Sequence, residues 1–271
     1  VTGVQTCALP ILYPPAMMCS GIVCYDYLPE DIRGKFKYED MMNSKSILDS
    51  TKTFGEALEK SGFKGDKKYR INPEKYKYMF ETHIEQGPIL EDAGNDIGVV
   101  DCVLGMFNYR VKLYGQAAHA GTFPMTKRKD AFYAASQALC YIHDEVDKLG
   151  VPELVYTTGE VVCHPCVHTV IPDFFDFSID ARHEDPKALE KVLSIVKSCE
   201  EKEWAGCKCV VEKAWNRDTV YWDKKLVGYV KEAAEEAEIK HQYIHSGAGH
   251  DAQFAAYMLP TTMIFVQSKD G

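Results

Sequence analysis

The stretch MFNYRVKLYG (residues 106–115) has the alternating apolar and polar side chains of a half-buried strand. It is followed by KDAFYAASQALCYIHDEVDKLG (129–150), an amphipathic helix that Gly150 would end. Two strands, a second helix and a last strand follow in ELVYTTGEVVC (153–163), DFFDFSIDAR (173–182), PKALEKVLSIVKSCEEKEWAG (186–206) and CKCVVEKAW (207–215). The order βαββαβ predicts a ferredoxin-like α+β unit, an antiparallel sheet with both helices on one face.

The sequence on either side of this unit predicts an α/β domain that is split in two. Helix and strand patterns alternate on both sides, in EKYKYMFETHI (74–84), DIGVVDCVLG (96–105), DKKLVGYVKEAAEEAEI (223–239) and TTMIFVQS (261–268). The fold prediction is therefore α/β, with residues 12–104 and 216–271 forming one domain and residues 105–215 inserted between its halves. The first eleven residues, VTGVQTCALPI, have no clear periodicity and are treated as a non-native leader.

Composition narrows the classes of function. The net charge of −9 is spread over segments of mixed sign, without a Lys/Arg stripe, so nucleic acid is not an expected partner. No apolar run reaches the roughly 18–20 residues that cross a bilayer, so no membrane association is expected. Ten cysteines at irregular spacing do not resemble a disulfide framework. We therefore expect a soluble protein of the reducing cytoplasm.

Four stretches are richer in polar groups than a plain core. They are HIEQGP (83–88), GQAAHAGTFPM (115–125), HTVIPDFFDFSIDARH (168–183) and SGAGHDA (246–252). Taken singly, each has an ordinary explanation. A histidine at a strand end is more often a satisfied polar residue than a metal ligand, an arginine is usually a surface ion-pair residue, and a glycine-rich loop can simply open a helix.

Together, in this order, the four stretches resemble one branch of the di-metal aminoacylase/carboxypeptidase-like hydrolases. This branch contains the N-carbamoyl-L-amino-acid hydrolases, the allantoate amidohydrolases and the β-ureidopropionases. The resemblance runs from about residue 19 to residue 271, and GTFPMTKRKDA (121–131) and LPTTMIFVQSKDG (259–271) extend it. It implies a split catalytic domain whose inserted α+β domain acts as a lid and forms a homodimer.

The resemblance also implies roles for individual residues. His83 matches a metal-binding histidine, and Gln86 matches an amide that contacts the substrate. His119 matches a catalytic histidine that reaches the neighbouring subunit's active site and polarises the carbamoyl oxygen. Arg182 matches the arginine that holds the substrate carboxylate, a role that suits a planar bidentate guanidinium. His250 matches another histidine on the substrate side.

One position departs from the pattern of this branch. Thr169 stands before the sequence VIP, where most members have asparagine. A threonine hydroxyl can donate one hydrogen bond but cannot present a carbonyl and an NH2 group together. Thr169 is therefore expected to contact the substrate, while the identity of the ureido or carbamoyl acid stays open.

The chemistry implied by the resemblance requires two divalent metal ions (Zn, Mn, Co or Ni) and a glutamate general base. The other metal ligands of the branch lie upstream of CSGIVCYDYLPEDIRGKF (19–36) or beyond residue 271. We therefore expect the full-length parent to cleave the ureido C–N bond of a small N-carbamoyl or allantoate-like acid. The 271-residue chain, treated as a fragment, is expected to be inactive and not to retain the two ions.

Three alternatives remain open from the residues. The parent could instead be a peptidase or N-acyl-amino-acid deacylase of the same superfamily. The chain could also serve as a non-catalytic dimerisation module that pairs through an exposed sheet edge. Finally, Cys163, Cys166 and the nearby histidines have the residue types of a structural zinc site, although a second ligand pair is missing. His143, His183, His241 and His245 match no residue of the family's motifs and are expected to be structural.

Overall fold

The computed structural model describes residues 12–15, 17–65 and 73–269, so the eleven-residue leader lies outside the described residues. The chain divides into two compact units. The split unit comprises the residues up to Val103 and those from Tyr221 onward, and the continuous unit comprises Leu104–Val220. Within the described ranges, no helix is long and apolar enough to cross a membrane.

The split unit contains a mixed β-sheet. Its helices are α1 (Met18–Val23), α2 (Glu30–Arg33), α3 (Tyr38–Met42), α4 (Phe54–Ser61), α5 (Ile89–Ala93), α8 (Lys224–Glu236) and α9 (Ala252–Ala255). Its strands are β1 (Met79–Ile84), β2 (Ile97–Val103), β11 (His241–Ser246) and β12 (Thr261–Val266). β1 is parallel to β12, β12 is antiparallel to β2, and β2 is parallel to β11. The short strand β10 (Val220–Tyr221) carries the chain back into this unit.

The continuous unit has the predicted order of elements. It contains β3 (Gly105–Tyr114), β4 (Ala118–His119), α6 (Ala131–Lys148), β5 (Val155–Thr157), β6 (Val161–His164), β7 (Val170–Ile171), β8 (Phe174–His183), α7 (Pro186–Ser198) and β9 (Lys208–Arg217). The main sheet is antiparallel in the order β5–β8–β3–β9, and β6 also pairs with β8. The segment predicted as one strand over residues 153–163 is therefore two short strands along one edge.

The core of the continuous unit lies between the sheet and its two helices. Ala134, Ala138 and Ile142 of α6 are fully or almost fully buried, as are Val192 and Val196 of α7. The helix residues recur at helical spacing and the buried residues of β3 at alternate positions, as amphipathic elements require. Burial of each large apolar side chain contributes about 1.5–3 kcal/mol.

A capping box explains where α4 begins. α4 begins one residue after Thr53, whose hydroxyl accepts the Glu56 backbone N–H while the Glu56 carboxylate accepts the Thr53 N–H. This capping box supplies partners for two donors that the first turn would leave unsatisfied. The sequence predicts the cap at Ser50–Thr51, two to three residues too early, because both positions carry hydroxyl groups, and it predicts Gly62 as the end of the helix. Gly62, with φ of 74°, ends the helix in the structure.

The nine described cysteines form no disulfide. Burial raises the pKa of Cys199 and of Cys209 to about 12, so both stay in the thiol form at neutral pH.

We expect the thiols of Cys199 and Cys209 to resist iodoacetamide from pH 7 to pH 9 while the chain is folded, because the thiolate is the nucleophile. Exposed Cys140 and Cys166 should react. Peptide mass spectrometry checks this, with denatured protein as the control. Labelling of Cys199 as fast as Cys140 in the folded chain would contradict it.

Candidate active site

His83 lies on β1, next to the central strands of the split unit's sheet. It pairs in register with Phe265 of β12. Its Nδ1 lies 2.7 Å from the carbonyl oxygen of Ile84, to which it can only donate. This hydrogen bond favours the tautomer with a lone pair on Nε2, the arrangement that backbone carbonyls commonly impose on metal-binding histidines. His83 can therefore bind a metal ion through Nε2.

Two more potential ligands lie beside His83. Potential ligand atoms of Glu81, His83 and His250 all fall within 4.8 Å of one another. The rings of His83 and His250 meet edge to face, with 4.7 Å between their centroids. Nδ1 of His250 lies 3.9 Å from Oε1 of Glu81. Two imidazoles and a carboxylate form a donor set that suits zinc or another transition-metal ion.

Glu81 connects β1 to the loop that carries His250. Its Oε2 accepts the backbone N–H of Ala252 at 2.7 Å. Burial raises the pKa of the Glu81 carboxyl and the nearby charge of Asp251 adds to this, whereas the Ala252 N–H and His83 act in the opposite direction. The carboxylate thus holds the His250 loop against the strand that carries His83.

His250 is buried, with 3% of its surface exposed. Its Nε2 makes a 2.6 Å hydrogen bond with the hydroxyl of Ser246, at the end of β11. The next residue, Asp251, accepts a hydrogen bond from Ser20 of α1 at 2.5 Å. The loop is therefore fixed by side chains on both sides. In this arrangement the His250 ring faces Glu81, His83 and Ser246, and its predicted contact with substrate stays a prediction.

Gln86 follows β1 at the Gly-Pro turn. It is exposed and has φ of 59°, in the left-handed region that few non-glycine residues adopt. The preceding residue, Glu85, accepts the backbone N–H groups of Ile89 and Leu90 at 2.8 Å each and so caps α5. This cap fixes the turn that presents the Gln86 amide to solvent.

His119 and Thr169 are brought together in the continuous unit. β4 and β7 form a two-stranded ladder in which His119 pairs with Val170, and Ala120 N–H donates to the Thr169 carbonyl at 2.8 Å. Nδ1 of the exposed His119 accepts the Gly121 N–H at 3.0 Å. The proton of the neutral ring therefore resides on Nε2, which can act as a hydrogen-bond donor.

Arg182 lies near the end of β8. Its Nε and Nη2 reach Oδ1 and Oδ2 of Asp180 at 2.7 and 3.2 Å, a bidentate pair on the same face of the strand. Burial and the nearby charge of Arg182 lower the pKa of Arg217 to about 10. Two guanidinium groups and one carboxylate thus lie close together near the end of β8.

The six predicted site residues fall into two sets. His83, Gln86 and His250 belong to the split unit, whereas His119, Thr169 and Arg182 belong to the continuous unit. Sequence reasoning missed the groups that position them, above all Glu81 and Arg128. Arg128 donates to the carbonyl oxygens of Ala120 and Phe123 and holds the turn after His119. A carboxylate two residues before His83, on the same face of a strand, is the signal that could have revealed Glu81.

The alternative zinc site receives no support from the described residues. Cys163 and Cys166 are in neither of the two groups that could hold a metal ion within the described ranges. His164 instead makes a 2.8 Å contact with Asp173.

Comparison with known proteins identifies the class. The model of Peptidase family M20/M25/M40 matches residues 41–271, and the chain belongs to this family. The predicted resemblance to ureido-acid hydrolases is confirmed by the relatives that the chain matches. This agrees with the mixed α/β fold described above.

Two relatives and one solved structure show the extent of the similarity. Allantoate amidohydrolase of Escherichia coli K12 is 36% identical over 200 residues, which cover 72% of this chain and 48% of that protein. N-carbamoyl-L-amino-acid amidohydrolase of Pseudomonas sp. NS671 is 33% identical over 251 residues, covering 88% and 58%. A hydantoinase/carbamoylase family amidase from Burkholderia vietnamiensis superposes with a TM-score of 0.76 at 33% identity, covering 94% and 59%. The chain thus spans about half the length of the curated relatives it matches.

Proposed function

We propose that the whole protein is a metal-dependent amidohydrolase that cleaves the carbamoyl C–N bond of N-carbamoyl-L-amino acids or allantoate-like ureido acids. The names of the relatives support the substrate class. The observation that carries the proposal is the placement of His83, whose Nδ1 is fixed by the Ile84 carbonyl while Glu81 and His250 converge beside it. Two imidazoles and a carboxylate that converge in a partly buried cluster form a donor set that a bound cation would stabilise.

The donor set fits one divalent ion in this part of the chain. Nε2 of His83, the Glu81 carboxylate and an imidazole nitrogen of His250 would hold it. When bound, such an ion lowers the pKa of a coordinated water and polarises the bond to be cleaved. The two-metal chemistry that the resemblance implies requires further ligands and a general base besides these three residues.

The residues of the continuous unit would bind and orient the substrate. The Nε2–H of His119 would donate to the carbamoyl oxygen as negative charge develops there, in the manner of an oxyanion hole. Thr169 lies just before β7, the strand that pairs with β4 and His119. Arg182 would hold the substrate carboxylate. Asp180 already binds two nitrogens of the Arg182 guanidinium. The Asp180 carboxylate would orient this guanidinium, which would then bind Asp180 and the substrate together. Gln86 would supply a further polar contact, whereas both ring nitrogens of His250 are directed to other groups, Nδ1 towards Glu81 and Nε2 to Ser246.

The subunit arrangement is part of the proposal. We infer a homodimer formed through the continuous unit, because β9 lies at one edge of its sheet and most of its residues are partly or fully exposed. An edge strand has unpaired backbone groups that a second copy can complete across a two-fold axis. If that dimer formed without catalysis, the chain would be the non-catalytic module considered above.

The substrate class is tested by assaying the full-length protein, loaded with zinc or manganese, on N-carbamoyl and N-acetyl forms of the same amino acids. Preferential hydrolysis of the carbamoyl compounds, with release of ammonia, is the expected result. Preference for the acetyl compounds would favour the rival deacylase, and cleavage of dipeptides would favour a peptidase. Hydrolysis by the purified 271-residue chain would show that it is catalytically complete.

Replacing His83 with alanine in the full-length protein is expected to weaken metal affinity and lower activity by at least about 100-fold, because loss of a ligand exceeds the effect of losing an outer-shell partner. Metal content by mass spectrometry and the N-carbamoyl assay measure this. His241→Ala is the matched control, since that ring contacts only the Ile239 carbonyl among its described hydrogen bonds. Equal metal content in the two variants would remove His83 from the metal site.

A further inference from the structure

We propose that Asp101, Cys102 and His245 form a separate transition-metal site of the zinc type, which cross-links β2 to β11. Potential ligand atoms of the three side chains all lie within 4.8 Å of one another. Nδ1 of His245 lies 2.6 Å from Oδ1 of Asp101 and 3.4 Å from Sγ of Cys102. A thiolate, an imidazole and a carboxylate are the three protein ligand types that zinc uses most.

An irregularity in strand pairing produces this cluster. Neighbouring residues of a regular strand point to opposite faces, so Asp101 and Cys102 should not share a partner. The register between β2 and β11 shifts here, because Ile244 pairs with Val100 and His245 with Cys102. Asp101 is thus the extra residue of a β-bulge, a device that redirects side chains. The bulge brings the side chains of both Asp101 and Cys102 to the imidazole of His245.

The contacts argue against a nucleophilic relay. In such a relay the thiol and the carboxylate would contact different ring nitrogens, with the imidazole between them. Here both approach Nδ1 of His245. Cys102 is also completely buried, so its sulfur is not presented to a substrate. Convergence on a single nitrogen is instead what shared coordination of a small cation would produce.

The distances lie close to those of a coordinated ion. Ligand atoms around a tetrahedral zinc, with bonds of about 2.0–2.3 Å, are separated by roughly 3.3–3.6 Å. The Sγ–Nδ1 distance of 3.4 Å already falls in this range. The Nδ1–Oδ1 pair, at 2.6 Å, would open by less than about 1 Å as the shared proton leaves.

Solvent and a fourth ligand can reach the cluster. Asp101 and His245 keep 34% and 30% of their side chains exposed. Asp101 also lines a cavity of about 320 Å³, together with Tyr221, Trp222 and Tyr243. Trp222 is buried, and its Nε1 has no hydrogen-bond acceptor in the part of the chain that the structure describes. A water bound at the open position would enter from this cavity, as in sites with three protein ligands.

The proposed site is distinct from the cluster at His83. The two clusters share no residue: Glu81 and His83 lie on β1, whereas Asp101, Cys102 and His245 lie on β2 and β11, although His250 contacts Ser246, the residue after His245. The proposed site contains a cysteine, whereas Glu81, His83 and His250 supply only nitrogen and oxygen. This difference gives the two clusters different spectroscopic signatures, so each can be tested without the other.

Cobalt binding to the metal-free 271-residue chain, under a non-coordinating reductant, tests the proposal. We expect a thiolate-to-cobalt charge-transfer band in the near ultraviolet and its displacement by zinc. Cys102→Ser should abolish the band, and Asp101→Asn and His245→Gln should weaken cobalt binding at least about tenfold. The His83→Ala variant and the controls Cys209→Ser and Cys163→Ser should retain the band.

Several results would overturn the proposal. Absence of the band in the unmodified chain would show that the cluster does not bind cobalt through Cys102. The cluster would then be an Asp101–His245 ion pair beside a buried thiol. Persistence of the band in Cys102→Ser, or its loss in Cys163→Ser, would assign the cobalt to another cysteine. Circular dichroism establishes that each variant folds. If Cys102→Ser does not fold, the partly exposed positions Asp101 and His245 decide the question.

Discussion

Replacing Arg110 with methionine is expected to lower the free energy of unfolding of the continuous unit by about 3–5 kcal/mol. Arg110 lies on β3, and its guanidinium binds both carboxylate oxygens of Asp176 at 2.9 Å each. Only 14% and 10% of the two side chains are exposed. The hydrogen bond that Arg110 donates to Asp176 raises the pKa of Arg110, so the guanidinium stays charged. Removing Arg110 leaves the mostly buried Asp176 side chain without its bidentate partner.

Chemical denaturation followed by circular dichroism measures this effect. Lys112→Met is the matched control, because Lys112 lies two residues along the same strand and pairs with the half-exposed Glu212. Exposed pairs contribute about 0–1 kcal/mol, so the control should unfold almost as the unmodified chain does. The double variant Arg110→Met/Asp176→Leu should recover much of the loss, since it removes both charges. Equal destabilisation by the two single variants would contradict the assignment.

Replacing His119 with alanine in the full-length protein is expected to lower kcat by about 100- to 1000-fold, with a much smaller change in KM. Its Nδ1 accepts the Gly121 N–H, which directs the Nε2 proton outward as a donor. A donor that strengthens only as negative charge develops acts on the transition state and leaves substrate binding largely intact. Steady-state kinetics on N-carbamoyl amino acids measure the effect, and His143→Ala provides a control in the same unit.

Mixing two inactive variants tests whether His119 acts in the neighbouring subunit. Dimers formed from His119→Ala and His83→Ala subunits would contain one site with both histidines intact. Equal mixing would then restore about a quarter of the sites, because half the dimers are mixed and each has one intact site. No recovery after subunit exchange, with mixed dimers demonstrated, would place His119 in the site of its own subunit.

The local elements of this protein are largely predictable from its sequence. Alternation in β3 and the helical spacing of buried residues in α6 both follow from burying one face of each element. Gly62 was predicted as a helix end because a left-handed residue there satisfies orphan carbonyls. The sequence does not reveal the break between β5 and β6, because Thr157, Thr158 and Val161 all favour strands. At the break, the Ser178 N–H donates to the Glu160 carbonyl and the Ser178 hydroxyl accepts the Glu160 N–H.

The groups around the candidate site were harder to predict. Glu81 binds Ala252, far away in the chain, and nothing near Glu81 in the sequence reveals that partner. The sequence predicts a structural role for His245, because no neighbouring residue in β11 suggests a ligand set. Its partners come from β2, and a one-residue shift in register decides whether they face it. Periodicity describes each strand alone and does not determine which strands meet.

The pairing of β1 with β12 and of β2 with β11 has a consequence for biosynthesis. Each pair joins strands that are made before and after the whole continuous unit. During translation the continuous unit can therefore complete its own sheet before the strands that pair with β1 and β2 have been synthesised. Contacts between strands so distant in sequence form slowly, and strands whose edges stay unpaired in the meantime are prone to aggregate. Rapid early folding of the continuous unit would hold the two halves of the split unit near each other until the last strand emerges.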